Sequence, residues 1–298
     1  MNTPLLTGDE LNVTKECRLC GHQISVGIWG GGECASCGSV SVERTPTSEE
    51  LTDFYRKFNE TYKGGGSSEG KNLNRYAQKY LDIVSRFSKS GSLIDIGSST
   101  NPFPDVAFAN GFDVTVLDYI KPRNLSESVR YVCGSIDDET IPGQIGRQFD
   151  AVSGWAVIEH LPRPLVSVKL MVELCRPGGF IFLSTPEIGT NLTRFSLGRS
   201  GWFYPPEHLN LVSPKAVETA FAAHECALVE WGRLELSLPR FAVRYGIGVF
   251  ESLVGMPAYA FLNGYWRKLR DTRRHLFKGV TYFVLRRGDA GKRNKTAG

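Results

Sequence analysis

Residues 91–119 read GSLIDIGSSTNPFPDVAFANGFDVTVLDY. A short apolar strand (Leu93, Ile94, Ile96) runs into a turn at Gly97, a helix follows, and a second strand ends on Asp118. This is the first βαβ half of a nucleotide-binding sheet. The turn brings main-chain N–H groups to the mouth of the sheet, and an acid after the next strand is placed to accept from ribose hydroxyls. A dinucleotide turn would read GxGxxG. Here Gly97-Ser98-Ser99-Thr100-Asn101-Pro102 keeps only the first glycine, so a pyrophosphate is poorly served.

Downstream the alternation continues. Residues 129–133 and 149–155 read as strands, and 164–175 as a helix with Leu165, Val168, Val172 and Leu174 on or near its buried face. Pro177, Gly178 and Gly179 stop that helix, and 180–183 begin a fully buried strand. Ser213 caps a helix with Pro214 at its first position, and 227–236 and 279–286 are the last two strands. Strand and helix in alternation make an α/β domain, a Rossmann-like seven-stranded, mostly parallel sheet with helices on both faces.

Upstream, Cys17-x2-Cys20 and Cys34-x2-Cys37 are separated by thirteen residues, and each pair is followed by glycine, Gly21 or Gly38. Two such knuckles offer four thiolates to a tetrahedral ion, which makes Cys17, Cys20, Cys34 and Cys37 the ligands of a structural zinc; a site that has lost its metal is the alternative. Four protein ligands leave no open position for chemistry. Cys133, Cys175 and Cys226 stand alone in apolar surroundings and read as small core residues. Ser48 is placed to cap a helix carrying Leu51, Phe54, Tyr55 and Phe58, and KGGGSSEGK reads as a linker. The expected division is a ribbon appendage with its helix at 1–62, a linker at 63–71, the main domain at 72–288 with an apolar insertion at 237–278, and a disordered basic tail at 289–298.

The 298 residues are 41% hydrophobic with a net charge of +4, enough to bury a core and too mild a basic excess to demand nucleic acid. The first residues have neither a cationic nor an apolar signal region, so a cytoplasmic protein is expected. Residues 245–265 carry one formal charge, Glu251, and a basic run follows. Glycines and Pro257 interrupt the stretch, which argues against a span and for an apolar helical hairpin over the edge of the site. Peripheral contact with anionic lipid through 240–275 stays open.

Taken together, these motifs resemble the class I S-adenosylmethionine-dependent methyltransferases, in a bacterial subgroup with an N-terminal zinc ribbon and enzymes of glycan and secondary-metabolite pathways. The resemblance rests on Asp95-Ile96-Gly97, on Asp118, on Ile136-Asp137-Asp138, and on Val157-Ile158-Glu159-His160-Leu161-Pro162. It extends through RPGGFIFLSTPE and PPEHLNLVSPKAVETAF, covering roughly 15–236 and the last strand, and it implies that this last strand is antiparallel. Asn101 departs from the family's small residue.

The resemblance implies S-adenosylmethionine as cofactor. Gly97 and the turn to Ser99 would pass under the methionine moiety, with Asp95 orienting its amino group. Asp118 would take the ribose hydroxyls, with Tyr119 beside the adenine. Ile136 would pack on that ring, Asp137 would accept from its exocyclic amine, and Ser153 would offer a main-chain carbonyl. Candidate bases for proton removal from the acceptor are His160 and His208, because imidazole titrates near working pH; for His160 a structural role, hydrogen bonding within its turn, is the alternative. His208 lies in the aromatic stretch 202–208, with Tyr204 and Glu207 as helpers. The expected reaction is methylation, at oxygen, of a glycan, sugar or other small intermediate. Alternatives are RNA modification, against which the ribbon's few basic residues speak, and a binding module that retains the fold.

Overall fold

The computed structural model describes residues 16–26, 31–42, 45–61, 67–122, 125–186, 208–234 and 280–289. The insertion 237–278, the aromatic residues 202–207 and the tail from 290 onward lie outside them.

Seven strands form the main sheet: β4 (Gly91–Ile96), β5 (Phe112–Asp118), β6 (Arg130–Cys133), β7 (Phe149–Trp155), β8 (Cys175–Pro186), β10 (Cys226–Leu234) and β11 (Val280–Arg287). Their order is β10-β11-β8-β7-β4-β5-β6. Pairings from β6 across to β8 are parallel. The last strand, β11, runs antiparallel to both of its neighbours, as expected. The chain steps outward from β4 to β5 and β6, then returns to the other side of β4 as β7. Strand order therefore reverses between β4 and β7, and the crevice beyond their carboxyl ends is where such sheets bind ligands.

Both faces are covered. On one, α2 (Ser67–Phe87) and α3 (Phe103–Ala109) bury Ala77, Tyr80, Val84 and Phe103 against Leu93, Val114, Val116 and Phe182. On the other, α4 (Ile141–Ile145), α5 (Pro164–Leu174) and α6 (Pro214–Ala222) bury Ile141, Val168, Met171, Val217 and Phe221 against Ile94, Val152 and Ile181. The runs of consecutive buried residues in β4, β7 and β8 follow from this cover on two sides.

Four details depart from the sequence reading. Leu165 is exposed, because the buried stripe of α5 runs through Val168, Met171 and Val172 instead. Cys133 is also exposed, since β6 is the edge of the sheet and is covered least. The first helix, α1 (Ser48–Thr61), is capped one residue earlier than expected: Thr47 Oγ1 accepts from Glu50 N (3.2 Å) and Glu50 Oε2 accepts from Thr47 N (2.7 Å). That reciprocal pair is a capping box. Finally, α2 begins at Ser67, inside the segment expected to be a linker.

The N-terminal unit is joined to the main domain by strand pairing and a shared apolar cluster. Its strands β1 (Ile24–Val26), β2 (Gly31–Cys34) and β3 (Val40–Val42) continue into β9 (Asn210–Leu211) of the main domain, and Cys17, Leu19 and Cys34 share an apolar cluster with Val212, Ala216 and Val217. Strands of three or four residues cannot bury a core of their own, so the unit borrows one. Ser213 ties the junction: its Oγ caps α6 by accepting from Ala216 N (3.1 Å) and donates to Cys37 O, while its own N donates to Ser39 Oγ (2.9 Å). Ser213→Ala is expected to cost about 1–2 kcal/mol, read from the denaturant midpoint, because it removes the cap and the tie together.

Candidate functional site

The turn after β4 is built on Gly97, which has a φ of +68° and donates its N–H to Leu117 O (2.8 Å). A Cβ there would lie 2.8 Å from Val157 Cγ2, so the position excludes larger residues on both counts. Two residues on, Ser99 adopts a φ of +48°, and its N–H donates to Asp118 Oδ2 (2.8 Å). Asp118 Oδ1 accepts from Ile120 N (3.3 Å). The acid at the end of β5 thus pins the turn after β4, and burial raises its carboxyl above the ordinary value. Beside it Tyr119 is 57% exposed and Ile120 is exposed, an apolar rim at the crevice.

Asp95, the last but one residue of β4, is 1% exposed. Its Oδ1 accepts from Ser153 Oγ (2.5 Å) and its Oδ2 from Ser98 Oγ (2.6 Å). Ser153, expected to offer a main-chain carbonyl, uses its hydroxyl to hold this acid. Ser98 had no role in the sequence reading, and its proximity to Asp95 was the only signal available. Burial pushes the Asp95 carboxyl up to about 7; the two hydroxyls oppose the rise and the nearby Asp118 charge adds to it. The sign follows. The folded chain holds a proton that the unfolded chain has released, so this group's contribution to stability is full below the unfolded value and is lost as pH rises to about 7.

Ile136 is buried and Asp137 half-buried in the loop after β6. Asp137 Oδ1 accepts from Ser135 Oγ, its main-chain O accepts from Arg163 Nη2, and its Oδ2 lies 3.8 Å from Arg163 Nε. Arg163 stands one residue after the IEHLP stretch, so the cation links the β6 loop to the turn that follows β7.

That turn starts with Ala156 in the left-handed region (φ +56°), held by Ala156 N donating to Ser184 O (3.0 Å). Both turns at the reversal point therefore carry a non-glycine residue in a disfavoured conformation, a feature concentrated at working sites. A short 3₁₀ turn, Ile158–His160, follows. Glu159 is 1% exposed and its Oε1 lies 3.9 Å from His160 Nε2. The His160 and His208 rings meet edge to face, with centroids 4.7 Å apart. Residues 48 and 49 positions apart in sequence thus form one Glu159–His160–His208 group, whose ligand-type atoms all lie within 4.8 Å of one another. Glu159 was not anticipated; its place next to His160 was the available clue. Below it, Trp155 stacks on Tyr80 (4.0 Å, 6° between planes) and meets Phe103 edge to face. Tyr204 and Glu207 lie outside the described residues.

In the N-terminal unit the four cysteines converge. Cys17 Sγ and Cys37 Sγ are 3.6 Å apart and Cys20 Sγ and Cys34 Sγ 3.5 Å, with all four within 4.8 Å. Sulfurs bound at 2.3 Å around a tetrahedral ion stand roughly 3.8 Å apart, and a disulfide is far shorter. The two knuckles repeat one geometry: Gly21 N donates to Cys17 O (2.8 Å), Gly38 N to Cys34 O (2.7 Å), and both glycines have a φ of +73°. His22 is exposed and outside the group.

The strand reversal, flanked by Asp95, Gly97 and Asp118, forms a crevice of the kind in which open α/β sheets bind their ligands. Residues 71–230 match the family described as the methyltransferase domain, and the chain belongs to it. Among curated relatives, the ubiquinone biosynthesis O-methyltransferase of Chromobacterium violaceum is 27% identical over 129 residues, 40% of this chain and 55% of that protein. The Xanthomonas oryzae pv. oryzae protein of the same name is 30% identical over 116 residues, 35% of this chain and 48% of that one. The chain spans about half the length of the curated relatives it matches. Among solved structures, Burkholderia thailandensis 1,6-didemethyltoxoflavin-N1-methyltransferase, with bound 1,6-didemethyltoxoflavin and S-adenosylhomocysteine, gives a TM-score of 0.53 at 13% identity, covering 86% of this chain and 97% of that one. A SAM dependent methyltransferase from Archaeoglobus fulgidus gives 0.51 at 14%, covering 78% and 99%. These two similarities show the fold.

Proposed function

We propose that the protein is an S-adenosylmethionine-dependent methyltransferase acting on an oxygen of a small biosynthetic intermediate, a glycan or sugar among the candidates, with a structural zinc in its four-cysteine unit. The observation that carries the reading is the joined pair of turns at the strand reversal, with Asp95 and Asp118 on the β4–β5 side and the histidine pair on the β7 side.

When bound, S-adenosylmethionine supplies an electrophilic methyl group on a sulfonium. Asp118 would accept from the ribose hydroxyls while it holds the Ser99 N–H. Tyr119 and Ile136 would flank the adenine, Asp137 would face its exocyclic amine, and Gly97 would let the main chain pass close under the methionine portion. Asp95, kept in place by Ser98 and Ser153, would orient the amino group. His208 or His160 would take the proton from the acceptor hydroxyl, and Glu159 would favour the imidazolium that results.

Relatives named as O-methyltransferases support oxygen as the target. Arg18, one of the ribbon's few basic residues, donates to Val42 O (2.9 Å) and Thr45 Oγ1 (2.7 Å) of its own chain, which argues against a ribbon that holds RNA. Among the described residues no helix is long and apolar enough to cross a membrane, and the segment proposed for peripheral lipid contact lies outside them.

The test is incubation of the purified chain with methyl-labelled cofactor and fractionated small-molecule extracts, followed by mass spectrometry. Label on an ether oxygen is the expected result; label only on RNA, or no cofactor binding by calorimetry, overturns the reading. Two expectations sharpen it. Asp118→Ala should weaken S-adenosylhomocysteine roughly 30-fold, since hydrogen bonds to a charged acceptor are worth about 1.5–3 kcal/mol. An ammonium beside Asp95 favours its carboxylate, so calorimetric affinity should rise with pH through about 7. It should be about tenfold weaker at pH 6 than at pH 8, with proton release to buffer at the lower pH.

A further inference from the structure

The histidine pair is held together by a side-chain contact to which the sequence reading gave no role. Asn210, the first residue of β9, is 0% exposed. Its Nδ2 donates to Leu161 O (2.8 Å), one residue beyond His160, and its Oδ1 accepts from Ser41 Oγ (3.2 Å) on β3. Asn210 is itself two residues beyond His208. The amide therefore fastens the segment carrying one histidine to the segment carrying the other and secures both to the cysteine unit.

The main chain around it runs the same way. Leu209 N donates to Glu159 O (2.8 Å), Val42 N donates to Leu209 O (2.9 Å), and Ser41 pairs with Asn210 in the β3–β9 ladder. A two-residue strand has too few ladder bonds to hold a register alone, so the side-chain fork does what strand length cannot. Asparagine suits the position because one planar group donates to a carbonyl and accepts from a hydroxyl at once. An apolar residue of the same volume would leave Leu161 O and Ser41 Oγ buried without each of these bonds.

We infer that Asn210 is a positioning residue that sets His208 against His160, and that the cysteine-rich unit is the wall from which it does so. The unit then serves the acceptor half of the site and leaves the cofactor half alone. The β4 and β5 turns make their hydrogen bonds with each other and with Ser153, away from this junction. This rests on the proposed methyl-transfer reading for its catalytic consequence, though not for the structural one.

The test uses the full chain with its metal, labelled with 15N at its five histidines. Asn210→Asp keeps the shape and the acceptor for Ser41 but replaces the donor facing Leu161 O with an oxygen. Ser41→Ala removes the ribbon-side bond alone and serves if the first variant does not fold. Both are expected to shift the ring 15N signals and titration midpoints of two histidines while S-adenosylhomocysteine affinity, by calorimetry, stays within about twofold. With the acceptor identified by the labelled-methyl screen, kcat should fall about tenfold or more at an unchanged KM for S-adenosylmethionine, the effect of misplacing a group by a fraction of an ångström to an ångström. Unshifted histidine spectra in a folded variant, or cofactor affinity lost in step with kcat, overturns the inference. Shifted spectra in a protein whose native form binds cofactor but methylates nothing would support Asn210's hold on the pair and retire the methyl-transfer reading instead.

Discussion

Removing the ion from the four-cysteine unit, by Cys37→Ser or by a strong zinc chelator, is expected to lower the midpoint of thermal unfolding by about 10 °C or more and to release the β3–β9 junction. Structural zinc contributes on the order of 10 kcal/mol to the unit it organises, and in a chain of this size each kilocalorie moves the midpoint by roughly 2–4 °C. The effect reaches the main domain because Cys37 O accepts from Ser213 Oγ and Leu19 shares a cluster with Val212 and Ala216. Metal analysis should find one zinc per chain. Hydrogen exchange should then show faster exchange in 40–42 and 208–213 after removal, with 91–99 unchanged. A chain that carries no zinc as purified, or a chelated protein with unaltered exchange at 208–213, would sink this account.

His208→Asn should lower kcat by about 10²–10⁴-fold while S-adenosylhomocysteine binds as before, the range expected for loss of a general base. Asparagine is close in size and polar at the ring's edge, so packing against His160 is largely kept. The pH dependence of kcat discriminates further. The native rate should climb as the base loses its proton and then level, whereas the variant should lose that limb. His160→Asn makes the comparison: if it abolishes the limb and His208→Asn does not, the base is His160 and His208 orients it. If neither changes kcat, proton removal by this pair is wrong.

The grouping of the residues proposed for the cofactor half was legible in the chain because they are local. Asp95, Gly97 and Ser99 lie within five residues, and Asp118 closes the same βαβ unit, so one strand–turn–helix–strand reading places all four at one sheet edge. The match of 71–230 to the methyltransferase domain agrees with that reading. What escaped it was fine structure: Ser98 and Ser153 on the Asp95 carboxylate, and the left-handed Ala156, none of which has a distinguishing spacing. Cys133 and Leu165 were misjudged because an apolar neighbourhood in sequence does not say which strand ends up at the edge or which side of a helix faces outward.

The sequence by itself determined the fold class, the βαβ unit at its centre and the pairing of two CxxC knuckles, since hydrophobic period, turn chemistry and ligand spacing act over short distances along the chain. Only the tertiary structure decided that the cysteine unit is joined to the main domain through β9. It alone brought His208 to His160 and gave Asn210 its two partners, Leu161 O and Ser41 Oγ. These contacts join residues from 48 positions apart (His160 and His208) to 171 (Val40 and Leu211), and strands too short to bury a core find their partner wherever packing leaves an open ladder position and a shared apolar surface.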